Sequence, residues 1–135
     1  MFSTLMMLVA MQLGCADGQC STLTVQKLTA SEGEVVMHAN KEREKAGLPA
    51  LAVDWKLMRQ SRKHCNHMAR DGFFAHSTGA RENIAMGKPY AKDAVEGWMD
   101  SPGHRSAIMG RQYTKIGVAG YVGRSGRVYW CMQVE

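Results

Sequence analysis

The sequence has no long apolar run. Its longest, Leu5 to Leu13, is broken only by Gln12 and covers nine residues. A bilayer-crossing helix needs about 20, so a membrane-spanning protein is excluded on this signal. No polybasic run is present either. The net charge is +5, and no nucleic-acid motif accompanies it. A charge of that size permits acidic partners without implying them, and nucleic acid is not an expected partner. Internal repeats are absent, which excludes a solenoid. Charge itself is absent from the first 16 residues. Elsewhere the mix is ordinary for a globular chain, with 45% hydrophobic and 21% charged residues. The 135 residues fit one domain.

The uncharged start has the length of a signal-peptide apolar region, and small residues follow it in Gly14-Cys15-Ala16. Residues 1–16 therefore read as a leader, cleaved after Ala16. Leu13-Gly14-Cys15 also has the form of a lipobox, in which Cys15 would carry the lipid. Either way the protein is expected to be exported: extracellular, periplasmic, or held at a membrane only by that lipid anchor. Residues 17–30 are polar and aperiodic and read as a tether. Residues 31–135 form the domain.

There are four cysteines, Cys15, Cys20, Cys65 and Cys131, and four can pair in three ways. Cys65 falls in an expected helix and Cys131 in an expected strand. A bridge between two packed layers is one of the pairings allowed, and an oxidising compartment would preserve it.

Ser31-Glu32-Gly33-Glu34 has the form of a capping box. A helix is expected from Ser31, with Val35, Val36, Ala39, Arg43 and Ala46 at helical spacing. Gly47 and Pro49 end it. A second helix spans about Asp54 to Asp71, with Leu57, Met58, Ser61, Cys65, Met68 and Ala69 inward and Gly72 closing it. Ten of the 14 glycines lie from Gly72 onward, so short elements and turns dominate there. Ala91 to Asp100 reads as helix, and a further turn follows Pro102. Ile116–Val122 and Val128–Val134 read as a hairpin around Gly123-Arg124-Ser125-Gly126. The class is α+β, with helices packed on a small antiparallel sheet.

Three strings place titratable residues among small ones: Phe73-Phe74-Ala75-His76-Ser77, Arg81-Glu82-Asn83-Ile84-Ala85-Met86-Gly87, and Val95-Glu96-Gly97-Trp98-Met99-Asp100-Ser101-Pro102-Gly103-His104-Arg105. Two imidazoles with a carboxylate are a common shell for a divalent ion. The competing reading of His76 and His104 is simple hydrogen bonding to loop backbone. His64 and His67 sit on neighbouring helical turns, but no second ligand pair accompanies them. His64 is expected to line the inward stripe and His67 to be solvated. The 11 methionines fit core stripes and the leader. Arg105 and Arg111 read as surface charge.

Taken in order and spacing, these strings resemble the CAP superfamily (cysteine-rich secretory proteins, antigen 5, pathogenesis-related 1) in its compact bacterial form. The resemblance also draws on Asn40 to Pro49, Leu51 to Asp54, Tyr113 to Val118 and Tyr129-Trp130. It implies a three-layer α-β-α sandwich with a broad cleft holding two histidines and two glutamates. Some members bind a divalent metal, such as Zn²⁺ or Mg²⁺, through the histidines. His76 and His104 match the histidines, and Glu82 matches the first glutamate. The second glutamate's position holds Ser101, and Glu96 is the nearest substitute. Family members bind sterols or other lipids, act as secreted effectors, or have been proposed as proteases. Two readings follow for this chain. It is an exported monomer holding a small amphipathic, lipid, sterol-like or cell-envelope ligand in a His/Glu-lined cleft, with or without a divalent metal. Alternatively, it is a metal-dependent hydrolase with His76 and His104 as ligands and Glu82 as general base. The incomplete set of carboxylates favours binding over catalysis.

Overall fold

The structure is a computed structural model, and it describes residues 26–135. Among the described residues there are four helices: α1 (Ala30–Lys45), α2 (Trp55–Asp71), α3 (Ala91–Met99) and α4 (Pro102–Met109). The strands are β1 (Ala52–Val53), β2 (Arg81–Met86), β3 (Lys115–Val122) and β4 (Val128–Val134). They form one sheet in the order β1-β3-β4-β2.

Helix α2 forms where its sequence signals place it. The Asp54 side chain accepts from the Leu57 N–H at 2.9 Å, and Gly72 closes the helix in the left-handed region. The start of α1 differs from expectation. Its cap is Thr29, whose hydroxyl accepts from Glu32 N–H while the Glu32 carboxylate accepts from Thr29 N–H. Thr29-Ala30-Ser31-Glu32 also has the capping-box form. It prevails over Ser31 because Glu32 simultaneously accepts two hydrogen bonds from Arg62 of α2, both 2.7 Å. Glu34 has no such partner among the described residues. Lys27 and Leu28 also touch the domain, so the end of the expected tether is docked onto it.

The hairpin β3-β4 forms as expected, but the sheet is mixed rather than purely antiparallel. β1 runs parallel to β3, and β2 pairs antiparallel with β4 from Arg81↔Val134 to Met86↔Tyr129. Side chains alternate across the sheet, so each face receives its own set. One face of β3 and β4 presents Ile116, Val118, Trp130, Met132 and Val134 to α1, α3 and α4. The other presents Ala119, Tyr129 and Cys131 to Cys65, Met68 and Ala69 of α2. The result is the α-β-α sandwich. At Gly117 the α2 backbone lies so close that any Cβ would collide with Leu57.

Asn40 fastens α1 to the segment that follows it. Its amide donates to Leu51 C=O at 3.1 Å and accepts from Leu51 N–H at 2.8 Å. Asn40→Ala leaves both Leu51 groups without a partner and is expected to cost about 1–2 kcal/mol. Urea unfolding measures this, and an unchanged midpoint would contradict it.

Candidate functional site

Gly72 turns the chain out of α2, and residues 73–80 return along the sheet to β2. This path brings His76 and Ser77 over the second residue of β2, Glu82. Glu82 points to the α2 side of the sheet beside its cross-strand partner Gln133. Its side chain is 2% exposed. Burying an unpaired carboxylate would be costly, and here five donors converge on it. Oε1 accepts from Ser77 N–H at 2.9 Å and from His76 Nδ1 at 3.1 Å. Oε2 accepts from Ser77 Oγ at 2.5 Å, Gln133 Nε2 at 2.8 Å and Cys131 Sγ at 3.4 Å. Burial raises the Glu82 pKa, but the bonds from Ser77, Gln133 and Cys131 outweigh it and hold the carboxyl below the usual glutamate range.

His64 approaches the same carboxylate from α2. Its Nε2 lies 3.7 Å from Glu82 Oε1 and donates to Ala75 C=O at 2.8 Å. A carbonyl can only accept, so that bond places a proton on Nε2. His64 was expected merely to line the helix stripe. Its proximity to Glu82 depends on the return path of residues 73–80, which helical periodicity does not reveal. His67 is half-exposed and paired with Asp71 at 2.8 Å, as a solvated residue would be.

His104, Ser101 and His76 share a recess of about 350 Å³ with Ser77, Arg81 and Glu82. His104 is fixed there through its backbone, whose C=O accepts from Asn83 Nδ2 at 2.8 Å. Among the described residues its imidazole bonds to neither Glu82 nor His76. Glu96 does not join the set. It lies on the exposed side of α3, 3.6 Å from Lys92. Arg105 and Arg111 are exposed and line neither cavity.

The expected Cys65–Cys131 bridge is not formed. Both thiols are buried and free. Cys65 Sγ donates to Tyr129 C=O at 3.1 Å, and Cys131 Sγ donates to Glu82. Burial pushes the Cys65 thiol up to about 12 and raises that of Cys131 as well. Each sulfur is thus held as a protonated donor in a different hydrogen bond. Cys15 and Cys20, with the whole leader and its cleavage or lipidation, lie outside the described residues.

Among the described residues, no three His, Cys, Asp or Glu side chains are grouped as a metal shell requires. The chemistry of Glu82 agrees. With five donors directed at two oxygens, it has no lone pair free for an ion. This donor set does not fit a three-ligand metal centre.

The recess opens beside a larger cleft of about 1280 Å³ between α2, residues 73–81 and the segment around Tyr113. Residues 36–134 match the cysteine-rich secretory protein family, CAP. The chain belongs to the CAP family. It is 33% identical over 131 residues to the protein YkwD of Bacillus subtilis, covering 84% of this chain and 50% of that protein. The CAP chain thus spans about half the length of that relative. Among solved structures it is similar to an outer surface protein of Borrelia burgdorferi. That likeness has a TM-score of 0.68 and 17% identity, and it covers 81% of this chain and 96% of the other. It is also similar to an extracellular protein containing an SCP domain from Bacillus anthracis, with TM-score 0.63 and 22% identity, over 78% of this chain and 40% of that one. At these identities the structural matches establish the CAP fold alone. No described helix is long and apolar enough to cross a membrane.

Proposed function

We propose that this CAP domain is an exported binding module whose cleft holds an amphipathic or cell-envelope ligand without transforming it. The observation that carries this is the saturation of Glu82. A general base needs a lone pair aimed at substrate and a pKa near the working pH. Glu82 has neither, because its oxygens are occupied and its pKa is depressed. Ser77 is no better placed as a nucleophile. Its hydroxyl donates to Glu82 and accepts from Gln133 Nε2 at 3.1 Å. What remains is a rigid, polar floor under a large open cleft, which suits recognition. The extracellular and outer-surface relatives support export.

Ala80 borders both cavities, so Ala80→Trp fills the mouth of the recess. The amphipathic probe 1-anilinonaphthalene-8-sulfonate should bind the wild type saturably and lose most of that binding in Ala80→Trp. Labelled casein should stay intact with both. Casein hydrolysis by the wild type that disappears in His76→Ala would overturn the reading.

A further inference from the structure

We propose that the large cleft is a docking groove for an extended acidic glycan carrying one anion per disaccharide. This rests on reading the cleft as a binding surface, and it names the ligand class. Lys56, Lys63 and Arg70 all line the cleft from α2. They recur every seven residues, two helical turns, so they form one stripe. At 1.5 Å per residue the cations stand about 10.5 Å apart and the stripe runs about 21 Å. The charge of an acidic glycan with one anion per disaccharide repeats on the same scale. The three cations match three successive anions, spaced by two such intervals, whereas a polyphosphate chain carries its charges much more densely. Arg81 also lines the cleft, with its guanidinium donating to Gly103 C=O and Ser106 Oγ.

Opposing charge at the groove is limited. Lys56 and Lys63 form no ion pair among the described residues. Asp71 bridges Arg70 and His67 at 3.0 and 2.8 Å on the rim, and Glu135 lines the cleft. Glu82 lies beneath, buried and saturated with donors.

The aromatic residues favour a sugar over a bare polyanion. Phe73 and Tyr113 are half-buried and line the same groove. Phe73 is two residues beyond the end of α2. Tyr113 is two residues before β3, whose Ile116 C=O accepts from the N–H of Asp54, the cap of α2. An aromatic ring therefore stands near each end of the cation stripe. Ring faces accept the C–H faces of pyranose rings, as they accept other flat partners. Phe73 is held edge-on by His67, with ring centroids 4.7 Å apart, so its orientation is set before a ligand arrives.

Hyaluronan oligosaccharides are the probe. Affinity should rise up to the hexasaccharide, whose three anions match the three cations, and change little in the octasaccharide, and it should fall as salt rises. The triple variant Lys56→Glu/Lys63→Glu/Arg70→Glu should bind about 100-fold more weakly. Lys41→Glu/Arg59→Glu/Arg127→Glu changes the net charge equally with exposed cations outside the groove, and it should bind nearly as the wild type does. Phe73→Leu keeps the apolar packing but removes the ring, and it should cost about tenfold against hyaluronan while leaving linear polyphosphate binding unchanged. Equal losses in the two triple variants would overturn the groove. No effect of Phe73→Leu on hyaluronan would overturn the glycan assignment. Chromatography of the recovered oligosaccharide separates this inference from the reading beneath it. Shortened chains would overturn binding without turnover and leave groove recognition standing. Intact chains bound with no dependence on the stripe would do the reverse.

Discussion

Replacing Arg43 with methionine should cost about 3–5 kcal/mol, a large part of the roughly 5–15 kcal/mol by which a domain is stable. Arg43 projects from α1 and is 1% exposed. Among the described residues it has no carboxylate partner, and its guanidinium instead meets four backbone carbonyls. Nε donates to Pro49 C=O at 2.8 Å. Nη1 donates to Ile108 and Gly110 at 2.8 and 2.9 Å, and Nη2 to Tyr113 at 3.2 Å. Ile108 and Gly110 stand at the C-terminal end of α4, where helical carbonyls lack intrahelical donors and the dipole favours a cation. Arg43 thus caps α4 from another helix. It also holds the turn after α1 and the segment leading into β3. Methionine fills much of the volume but leaves all four carbonyls without this donor, that of Ile108 in the buried interior and those of Pro49, Gly110 and Tyr113 part-buried. Lysine keeps the charge but replaces a planar fork with one point donor, so Arg43→Lys should recover only part of the loss. Urea unfolding of both variants tests this. A loss below about 1 kcal/mol for methionine would mean that water satisfies those carbonyls.

The same residue shows what the sequence could and could not convey. Periodicity put Arg43 on the inward face of its helix, which is correct. Nothing local identified its acceptors, which lie up to 70 positions away. Helix α2 was legible from end to end because its cap, stripe and terminal glycine are all local. The β3-β4 hairpin was legible for the same reason, with short apolar runs on both sides of a glycine-containing loop. β2 was not identified as a strand. Its inward positions hold Glu82 and Asn83, both buried, so the apolar pattern that marks a strand is missing where the site is built. β1, two residues long, carries no periodic signal at all.

The strand that escaped detection explains most of what was missed at the site. Without β2 against β4, Gln133 has no reason to stand beside Glu82, and Cys131 looks free to reach Cys65. The resemblance to known CAP sequences brought His76, Glu82, Ser101 and His104 into one region, and the structure places all four around the recess. It did not give the hydrogen-bond order, in which Ser77, Gln133 and Cys131 donate with His76 to one carboxylate and His64 stands beside it. That order decides between a base and a structural anion.

Glu82→Ala should therefore behave as a stability variant, with a cost of about 3–5 kcal/mol, because it strands the buried donors of Ser77, Gln133 and Cys131. Glu82→Gln keeps the shape and one acceptor oxygen but turns a second donor group toward existing donors, so it should cost about 2–3 kcal/mol. The pH dependence separates the charge from the packing. The folded-state pKa of Glu82 lies below its ordinary value. Its carboxylate therefore contributes fully above the unfolded glutamate pKa of about 4.3, and the contribution is lost as pH falls through the lower folded value. Between about pH 5 and pH 3 the wild type should lose stability more steeply than Glu82→Gln, and the two curves should converge at the acid end. Chemical denaturation across that range gives both curves. Parallel curves would show that folding leaves the Glu82 pKa unchanged, and a wild type that loses stability less steeply than Glu82→Gln would show a carboxyl protonated in the native state; either result would remove the saturated anion on which the binding reading stands.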